Sequence, residues 1–325
     1  MHAFEWIDAH SVDDAIRLLS ESNEGRPVVA KAGGMDLLDL MKEGIVRPAR
    51  VVNLRTIGEL DEIRFDERRG LHIGALATLS QIARHPQIRQ HYSALAAAAE
   101  HAATPQVRNA ATIGGNLLQR PRCWYFRNEH FHRAPERMAS AFDGENQYHA
   151  IFDNAQTAMV HASTPATALL AYDSTVHVTG SNGSRSVPLK DFLLAPDAMR
   201  PGDAALKHDE LLTHITLPQL SQNTRAAYHK QTERDSYDWP VCDVAVVLQV
   251  EGDVVEAASI AMGWVAPTPM RATSSERLLV RRRVNEATAA EAARAAIEGA
   301  TPLSKNAYKV QVLQTVVRRT VLAAR

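Results

Sequence analysis

The sequence has little cysteine, little net charge and no long apolar run. Cys123 and Cys242 are the only cysteines in 325 residues, too few for a disulfide framework, so we expect a reducing compartment. Acidic residues (37) nearly balance basic ones (36), giving a net charge of -1, which disfavours nucleic acid or an anionic membrane surface as a partner. No apolar run approaches the roughly 20 residues of a membrane-spanning helix.

These absences predict no membrane insertion. Residues 1–6 do not resemble a signal peptide, so we expect a cytoplasmic protein, or a periplasmic one if a partner that bears a signal carries it across. The pattern G-x-G-x-x-G is also missing from the chain, so the usual dinucleotide-binding fingerprint is absent.

What the chain does have is the composition of an ordinary globular protein. Hydrophobic residues make up 45% and charged residues 22%, and the length suits two or three domains. Gln, Ser, Asn and Thr cluster after Pro218, which indicates a boundary there. We therefore expect a domain over residues 1–220, divided into subdomains at about 1–55 and 56–220, and a second domain over residues 221–325.

Two glycine pairs are the most informative feature. Gly33 and Gly34 lie between a predicted strand over 28–31 and a predicted helix over 36–43, and a second strand follows at 51–54. Gly114 and Gly115 form the second pair, in the segment 111–119. Glycine lets the backbone approach a ligand closely and offer its N–H groups. Two such turns could therefore hold the two phosphates of one dinucleotide.

Local signals predict the remaining elements. Capping patterns at Ser11 and Thr78 predict helices, and the alanine-rich segment 92–103 predicts a buried helix. Hairpins are expected across residues 182–183 and 251–253. Helical segments are expected from about Met270, Asn285 and Asn306, and residues 120–150 are interpreted as a long functional loop.

Several of these motifs together resemble one family over nearly the whole chain: the FAD-binding medium subunits of molybdenum hydroxylases. That family includes xanthine dehydrogenase, carbon monoxide dehydrogenase and bacterial aldehyde oxidoreductases. Either glycine pair alone would be a weak signal, and their order and spacing carry the resemblance. The matching segments are 32–38, 108–109, 112–120, 237–240 and 263–267, together with Tyr228 and Lys230.

The resemblance implies an α+β fold: a small α/β subdomain, a larger mixed-sheet subdomain and a C-terminal antiparallel sheet with a helical bundle. It implies that the two glycine segments hold the FAD pyrophosphate from two sides, with a lysine near the flavin. Carried over to this sequence, the cofactor-binding residues are Val29, Ala30, Lys31, Ala32, Gly33, Gly34, Met35, Asp36, Leu37, Thr112, Gly114, Gly115, Asn116, Thr164 and Lys230.

The family also implies partners and an activity. A large subunit with the molybdenum cofactor oxidises the substrate, a small 2Fe–2S subunit passes the electrons on, and the flavin of the medium subunit delivers them to an acceptor. This chain would be the electron-exit module of such a heterotrimer. A positive Lys230 near the flavin would favour an anionic reduced form. No catalytic residue and no metal ligand is singled out.

Two positions depart from the family pattern. Aldehyde oxidoreductase relatives carry an insertion with four cysteines for a 4Fe–4S cluster, and here Cys123 stands at the first ligand position with no cysteine between Trp124 and Val241. Because such clusters commonly take four thiolates, we predict no cluster on this chain. Thr164 stands where the family often has an aspartate that contacts the flavin. Threonine can still form a hydrogen bond but carries no charge, so the resemblance does not fix the flavin potential or the oxidant.

Three alternatives remain open at this stage. The chain could be a self-contained flavin oxidase or reductase of the related fold, or an assembly subunit that binds little cofactor. Cys123, His130 and His132 could form a metal site, although four regularly spaced ligands are not evident. Lys230, taken alone, has the character of a surface lysine.

Overall fold

Strands and helices are mixed along the chain, and the strands form three sheets. The computed structural model describes residues 1–128, 130, 140–195, 204–235 and 237–325. This arrangement confirms the α+β class. The strands are β1 Glu5–Asp8, β2 Val28–Lys31, β3 Arg50–Asn53, β4 Ile63–Asp66, β5 Gly70–Gly74, β6 Thr175–Gly180, β7 Gly183–Pro188, β8 Leu211–Leu217, β9 Thr224–Gln231, β10 Cys242–Glu251, β11 Val254–Gly263 and β12 Met270–Arg271.

The helices are mostly short, and a single 3₁₀ turn occurs at Gly58–Asp61 among the described residues. Within that same part of the chain, no helix is long and apolar enough to cross a membrane. The α-helices are α1 Val12–Ser20, α2 Leu37–Lys42, α3 Leu79–Arg84, α4 Pro86–His91, α5 Ser93–Glu100, α6 Pro105–Ala110, α7 Ile113–Leu117, α8 Ser140–Asp143, α9 Thr164–Ala171, α10 Leu189–Phe192, α11 Thr273–Leu279, α12 Glu286–Ala296 and α13 Tyr308–Ala323.

The first sheet is parallel, in the order β1-β3-β2. Val28, Val51 and Val52 are buried in it, and the predicted strand–turn–helix–strand unit is confirmed as β2-α2-β3. The sequence does not predict β1, because only Ile7 in this strand is even partly buried. A short edge strand with polar residues has no alternating pattern to detect.

The second sheet has the order β4-β5-β8-β6-β7 and is antiparallel. Its buried residues, such as Ile73 and Ile215, pack against the alanine-rich α5 and against α9. The helix predicted over 92–103 is shorter than expected. It ends at Glu100, and Ala103 adopts a left-handed φ of 45° before Thr104 caps the next helix.

The third sheet has the order β12-β11-β10-β9 and is covered on one face by α11, α12 and α13. The hairpin predicted across 251–253 is confirmed. One predicted helix start was wrong. Met270 belongs to the short strand β12 and pairs with Met262 of β11, and the helix α11 begins only at Thr273. The other face of this sheet contacts α5 and α9.

A buried lysine ties the C-terminal helix to two other parts of the chain. Lys309, near the start of α13, is fully buried. Its Nζ donates to the carbonyl oxygens of Trp264 (2.7 Å), His149 (2.9 Å) and Tyr148 (3.1 Å). Burial lowers the pKa of this lysine, whereas the three carbonyl dipoles favour its charged form. The contact therefore fixes the segment 148–149 against the end of β11.

A buried carboxyl group joins the second sheet's helices to the third sheet. Asp243, in β10, is fully buried. It accepts from Tyr228 Oη at 2.7 Å and from Thr167 Oγ1 at 2.9 Å, so it connects β9 and α9. Burial raises the pKa of Asp243 to about 7, because the ionised form loses its hydration.

Asp243→Asn should remove a pH dependence of stability. Folding raises the pKa of Asp243, so the folded chain holds a proton that the unfolded chain releases, and stability falls as pH rises from about 4 to about 7. The wild type should gain stability over the variant on moving from about pH 8 to about pH 5, by up to about 1.4 kcal/mol per unit. Urea unfolding of both proteins at pH 5 and at pH 8 measures this difference. An equal change in the free energy of unfolding between the two pH values in wild type and variant would contradict the prediction.

Candidate functional site

One large cavity of about 340 Å³ lies where the two glycine segments face each other. Val29 does not line it and lies in β2. The cavity brings together predicted residues from both of the expected domains. The predicted binding residues that line it are Ala30, Lys31, Ala32, Gly33, Gly34, Met35, Asp36, Leu37, Thr112, Gly114, Gly115, Asn116, Thr164 and Lys230.

The first glycine turn offers free backbone donors. The N–H groups of Gly33, Gly34 and Met35 donate to no described residue. Gly34 has a φ of +77°, a conformation that L side chains rarely adopt. A Cβ at Gly33 would lie 2.2 Å from Ala110 O, so only glycine allows this turn to touch the chain beside the second pair.

A network of charges holds this turn in place. Asp36 accepts from the backbone N–H of Arg120 at 2.9 Å. It also pairs with Arg122 at 3.1 Å and with Arg127, and Arg127 reaches Asp39 as well. The carboxylate of Asp36 therefore serves the protein framework, joining the first turn to residues 120–127, and does not cap α2.

The second glycine segment differs from its prediction. It is a short helix, α7, with Thr112 as N-cap. Its backbone donors are already used: Gly114 N donates to Ala75 O at 2.9 Å, Gly115 N to Thr112 Oγ1 at 3.2 Å and Asn116 N to Thr112 O at 2.8 Å. The expectation that both pairs offer N–H groups is corrected, because only the first turn leaves donors open.

Close approach explains the glycines of the second segment. A Cβ at Gly114 would lie 2.9 Å from that of Ala75, so this glycine lets α7 pack closely against the residue that follows β5. A Cβ at Gly115 would lie 3.1 Å from Thr112 Oγ1 and 4.0 Å from Ala32 Cβ. The gap between the two segments at Gly115 is therefore one that a side chain would fill.

Thr164 is held close to Asn116 by its neighbours. Ser163 Oγ donates to Asn116 Oδ1 at 2.6 Å and also caps α9, whose first residue is Thr164. His161 Nε2 lies 3.2 Å from Leu117 O. Burial lowers the pKa of His161 to about 4, so its neutral ring donates to that carbonyl. His161 and Ser163 were missed from the sequence because neither belongs to a recognised motif.

Lys230 enters the cavity from β9. Its Nζ donates to His101 O at 2.8 Å, and it stands opposite Asp243 in the β9–β10 register. Burial lowers the pKa of Lys230, and Asp243 opposes that shift. The lysine is thus a half-buried cation between the two predicted domains, not a free surface side chain.

A second cavity of about 250 Å³ adjoins the first. Arg122, Asp238, Trp239, Pro240 and Trp264 line both cavities. Residues 237–240 and 263–267 belong to the segments that carry the family resemblance, which implies no role for them. The other residues that line the second cavity are Cys123, Trp124, Tyr148, His149, Val160, Glu233, Arg234 and Val241.

The partner of Cys123 is His149, and not His130 or His132 as in the metal-site hypothesis. Its Sγ lies 3.1 Å from Nε2 of His149, which is buried. His132 lies outside the described residues, and within the described ranges no three His, Cys, Asp or Glu side chains cluster as metal ligands. The Cys123–His130–His132 hypothesis thus gains no support from the described geometry.

The residues around the first cavity fit a flavin nucleotide. Free backbone donors suit a pyrophosphate, the glycine gap admits it, and Lys230 adds a positive charge. When bound, FAD supplies the redox chemistry, so the chain has only to hold, orient and tune it.

Comparisons with known families cover almost the whole chain. Residues 2–220 match the family described as "FAD binding domain in molybdopterin dehydrogenase", and residues 227–324 match "CO dehydrogenase flavoprotein C-terminal domain".

Individual proteins agree with these matches. The chain is 32% identical to the aldehyde oxidoreductase FAD-binding subunit PaoB of Escherichia coli over 76% of this chain and 78% of that protein. It is 29% identical to the carbon monoxide dehydrogenase medium chain of Hydrogenophaga pseudoflava, over 99% and 96% of the two chains. A solved carbon monoxide dehydrogenase from the same organism superposes with a TM-score of 0.78 at 26% identity, covering 99% and 97%.

Gly115→Val should abolish FAD binding without unfolding the chain. The new side chain would enter the gap between the two glycine segments, whereas its Cβ meets only Thr112 Oγ1 within 3.4 Å. We expect loss of the visible flavin absorbance of the purified protein, with an unchanged circular dichroism spectrum.

Gly58→Val is the matched control. A Cβ there has no atom within 4 Å, and Gly58 does not line the first cavity. Flavin content of this variant should equal that of the wild type. Equal flavin content in the Gly115 variant would show that the gap does not hold the cofactor.

Proposed function

This chain belongs to the FAD-binding medium subunits of the molybdenum hydroxylases, and we propose that it carries electrons from the iron–sulfur clusters of a partner through FAD to an external acceptor. It is a flavoprotein subunit of an oxidoreductase. The observation that carries the proposal is the single cavity lined by both glycine segments, Thr164 and Lys230.

Each part of the cavity then has a distinct task. The free N–H groups of Gly33, Gly34 and Met35 would bind the pyrophosphate. Gly115 would leave room for it on the opposite side. Lys230 would stabilise negative charge on the reduced flavin through the electrostatic attraction of its ammonium group.

Oxidation of the organic substrate would take place on another subunit. Relatives are named as parts of larger enzymes, such as the 6-hydroxypseudooxynicotine dehydrogenase complex subunit alpha of Paenarthrobacter nicotinovorans, 26% identical over 99% of this chain. By analogy, the proposed partners are a large molybdenum-cofactor subunit and a small 2Fe–2S subunit. The location expected from residues 1–6, cytoplasmic or else periplasmic with a partner that bears a signal, stays a prediction.

No 4Fe–4S cluster is proposed for this chain. The sequence has two cysteines, and such a cluster commonly needs four thiolates. Cys242 is fully buried within β10, and Cys123 already contacts His149. Burial raises the pKa of the Cys123 thiol, which favours its neutral form.

Purification of the chain with its native partners tests the proposal. Flavin, iron, molybdenum and subunit composition should all be measured in the same preparation. About one FAD per chain, with molybdenum and iron in partner subunits, is the expected result. A colourless chain would support an assembly role, and turnover by the isolated flavin-loaded chain would support a self-contained oxidase.

Cys123→Ser should leave the iron content of this subunit at zero, as in the wild type, because Cys123 ligates no cluster. Iron per chain in the separated subunit, measured by mass spectrometry of the metal, provides the check, with Cys242→Ser as the matched control. Iron that is present in the wild type and falls in the Cys123 variant alone would contradict the prediction.

A further inference from the structure

A buried carboxyl group stands beside the lysine of the first cavity. Asp243 in β10 lies opposite Lys230 in β9, and opposed residues of antiparallel strands project from the same face of the sheet, with Cβ atoms about 5 Å apart. Lys230 lines the first cavity, whereas Asp243 does not and is fully buried. The carboxyl group can therefore act on a ligand in this cavity by its charge but not by contact.

The surroundings of Asp243 accommodate a carboxyl group in either charge state. Tyr228 Oη donates to Oδ2 at 2.7 Å, and Thr167 Oγ1 donates to Oδ1 at 2.9 Å. A Cβ at Gly263 would lie 2.1 Å from Oδ1, so β11 leaves open the space that the group occupies. The two hydroxyl donors stabilise the ionised form and burial stabilises the neutral form. Burial dominates and raises the pKa of Asp243 to about 7, so both forms are populated near neutral pH.

Few charged groups face Asp243 among the described residues. Lys230 is the cation whose charge acts on it. The other titratable neighbours are Tyr228 from β9, Cys242 next to it in β10 and, beyond Tyr228, His101 at the end of α5. Burial raises the pKa of Tyr228 and Cys242 and lowers the pKa of His101, so these three groups are neutral near pH 7. The helix α9 and the strand β11 face the carboxyl group with uncharged residues, and α13 packs on the other face of β10.

Lys230 conveys the charge state of Asp243 to the first cavity. Its Nζ donates to His101 O at 2.8 Å, which fixes the ammonium group at the end of α5. With Asp243 ionised, the pair of side chains has no net charge, and with Asp243 protonated it has one positive charge. Charges in a protein interior are screened less than charges in water. A flavin beside Lys230 would therefore experience this change of one charge.

We propose that Asp243, acting through Lys230, is a positioning residue that takes up a proton when the flavin is reduced. Reduction to the anionic flavin brings two electrons and one proton to the cofactor. The carboxylate of Asp243 binds a second proton from solvent and becomes a carboxylic acid, which leaves Lys230 as an uncompensated cation beside the new negative charge. On reoxidation the two electrons pass to the external acceptor and both protons are released. This inference rests on the proposed function of the first cavity.

The direction of the coupling follows from linkage. Negative charge beside Lys230 favours the protonated form of Asp243, so the pKa of this carboxyl group is higher with reduced flavin than with oxidised flavin. Below the lower of these two pKa values Asp243 is protonated throughout and takes up nothing. Between them it binds a proton on reduction, and the midpoint potential of the flavin falls more steeply as pH rises. This window begins near pH 7 and extends upward.

The midpoint potential of the flavin, measured against pH in the flavin-loaded chain with its native subunits, tests the proposal. Above about pH 7 the potential of the wild type should fall more steeply than that of Asp243→Asn, by up to about 30 mV per pH unit, which corresponds to a tenfold change in a two-electron equilibrium. At about pH 5 the two slopes should be equal, because Asp243 is then protonated in both redox states. Asparagine keeps the shape of the side chain and does not titrate.

Two further variants separate charge from packing. Tyr228→Phe removes a donor to the ionised form, so it raises the pKa of Asp243 and should move the steep region to higher pH. A purely structural role would not produce such a displacement. Asp253→Asn makes the same exchange in the exposed turn of the β10–β11 hairpin and should leave the potential at its wild-type value at every pH.

Infrared spectra give a reading that needs no electron transfer. In the flavin-free protein at about pH 5, the difference between wild type and Asp243→Asn should contain the C=O band of a buried carboxylic acid. That band should disappear with a midpoint near pH 7 as pH rises. In the flavin-loaded wild type at about pH 8, chemical reduction should make the band grow, because Asp243 then gains a proton.

The outcomes separate the two proposals. Full FAD content with equal slopes in wild type and Asp243→Asn, or no growth of the carboxylic acid band on reduction, would overturn the role of Asp243 alone. If Asp243→Asn does not fold, the band of the wild type and the displacement in Tyr228→Phe decide in its place, and the absence of both would overturn that role. A wild-type chain that carries no FAD would contradict the proposed function, and the inference would fall with it.

Discussion

The buried ammonium group of Lys309 holds together three residues that line the second cavity. Its three acceptors belong to residues 148 and 149 and to Trp264, which lie far apart in the chain. A fully buried charge is tolerated only with such a set of dipoles. Because Tyr148, His149 and Trp264 all line the second cavity, the shape of that cavity follows from where a single side chain places three carbonyl groups.

The first cavity depends on a different constraint, which is the approach of two backbones. Gly33 touches Ala110, and Gly115 faces Ala32 across a gap. The two glycine segments nevertheless differ in kind. The N–H groups of the first segment have no partner among the described residues, whereas those of the second donate hydrogen bonds to Thr112 and to Ala75. One segment therefore offers polar donors, and the other contributes shape.

Local sequence signals predicted local structure well. The β2-α2-β3 unit, the Thr78 capping box and the hairpin across 251–253 each follow from residues close together in the chain. The helix over Ile113–Leu117 could not be predicted in this way, because two adjacent glycines have low helix propensity. Its first turn is held by hydrogen bonds to the distant residues Ala75 and Ala77.

The same limit applies to the sites. The glycine segments, Thr164 and Lys230 could be placed by resemblance, and all line one cavity. Contacts between residues far apart in the chain could not be placed in this way. One example is the contact of Cys123 with His149, which are 26 positions apart. Trp264 directly follows β11, and only the folded chain shows that it is buried and that its indole N–H lacks a partner among the described residues.

The buried carboxyl group of Asp243 restricts how this sequence can change. A Cβ at Gly263 would lie 2.0 Å from Thr167 Oγ1 and 2.1 Å from Asp243 Oδ1. Whether a side chain fits at position 263 therefore depends on the side chains at positions 167 and 243. A chain of this fold that carries a side chain at position 263 must therefore have made room at both 167 and 243, which belong to different predicted domains.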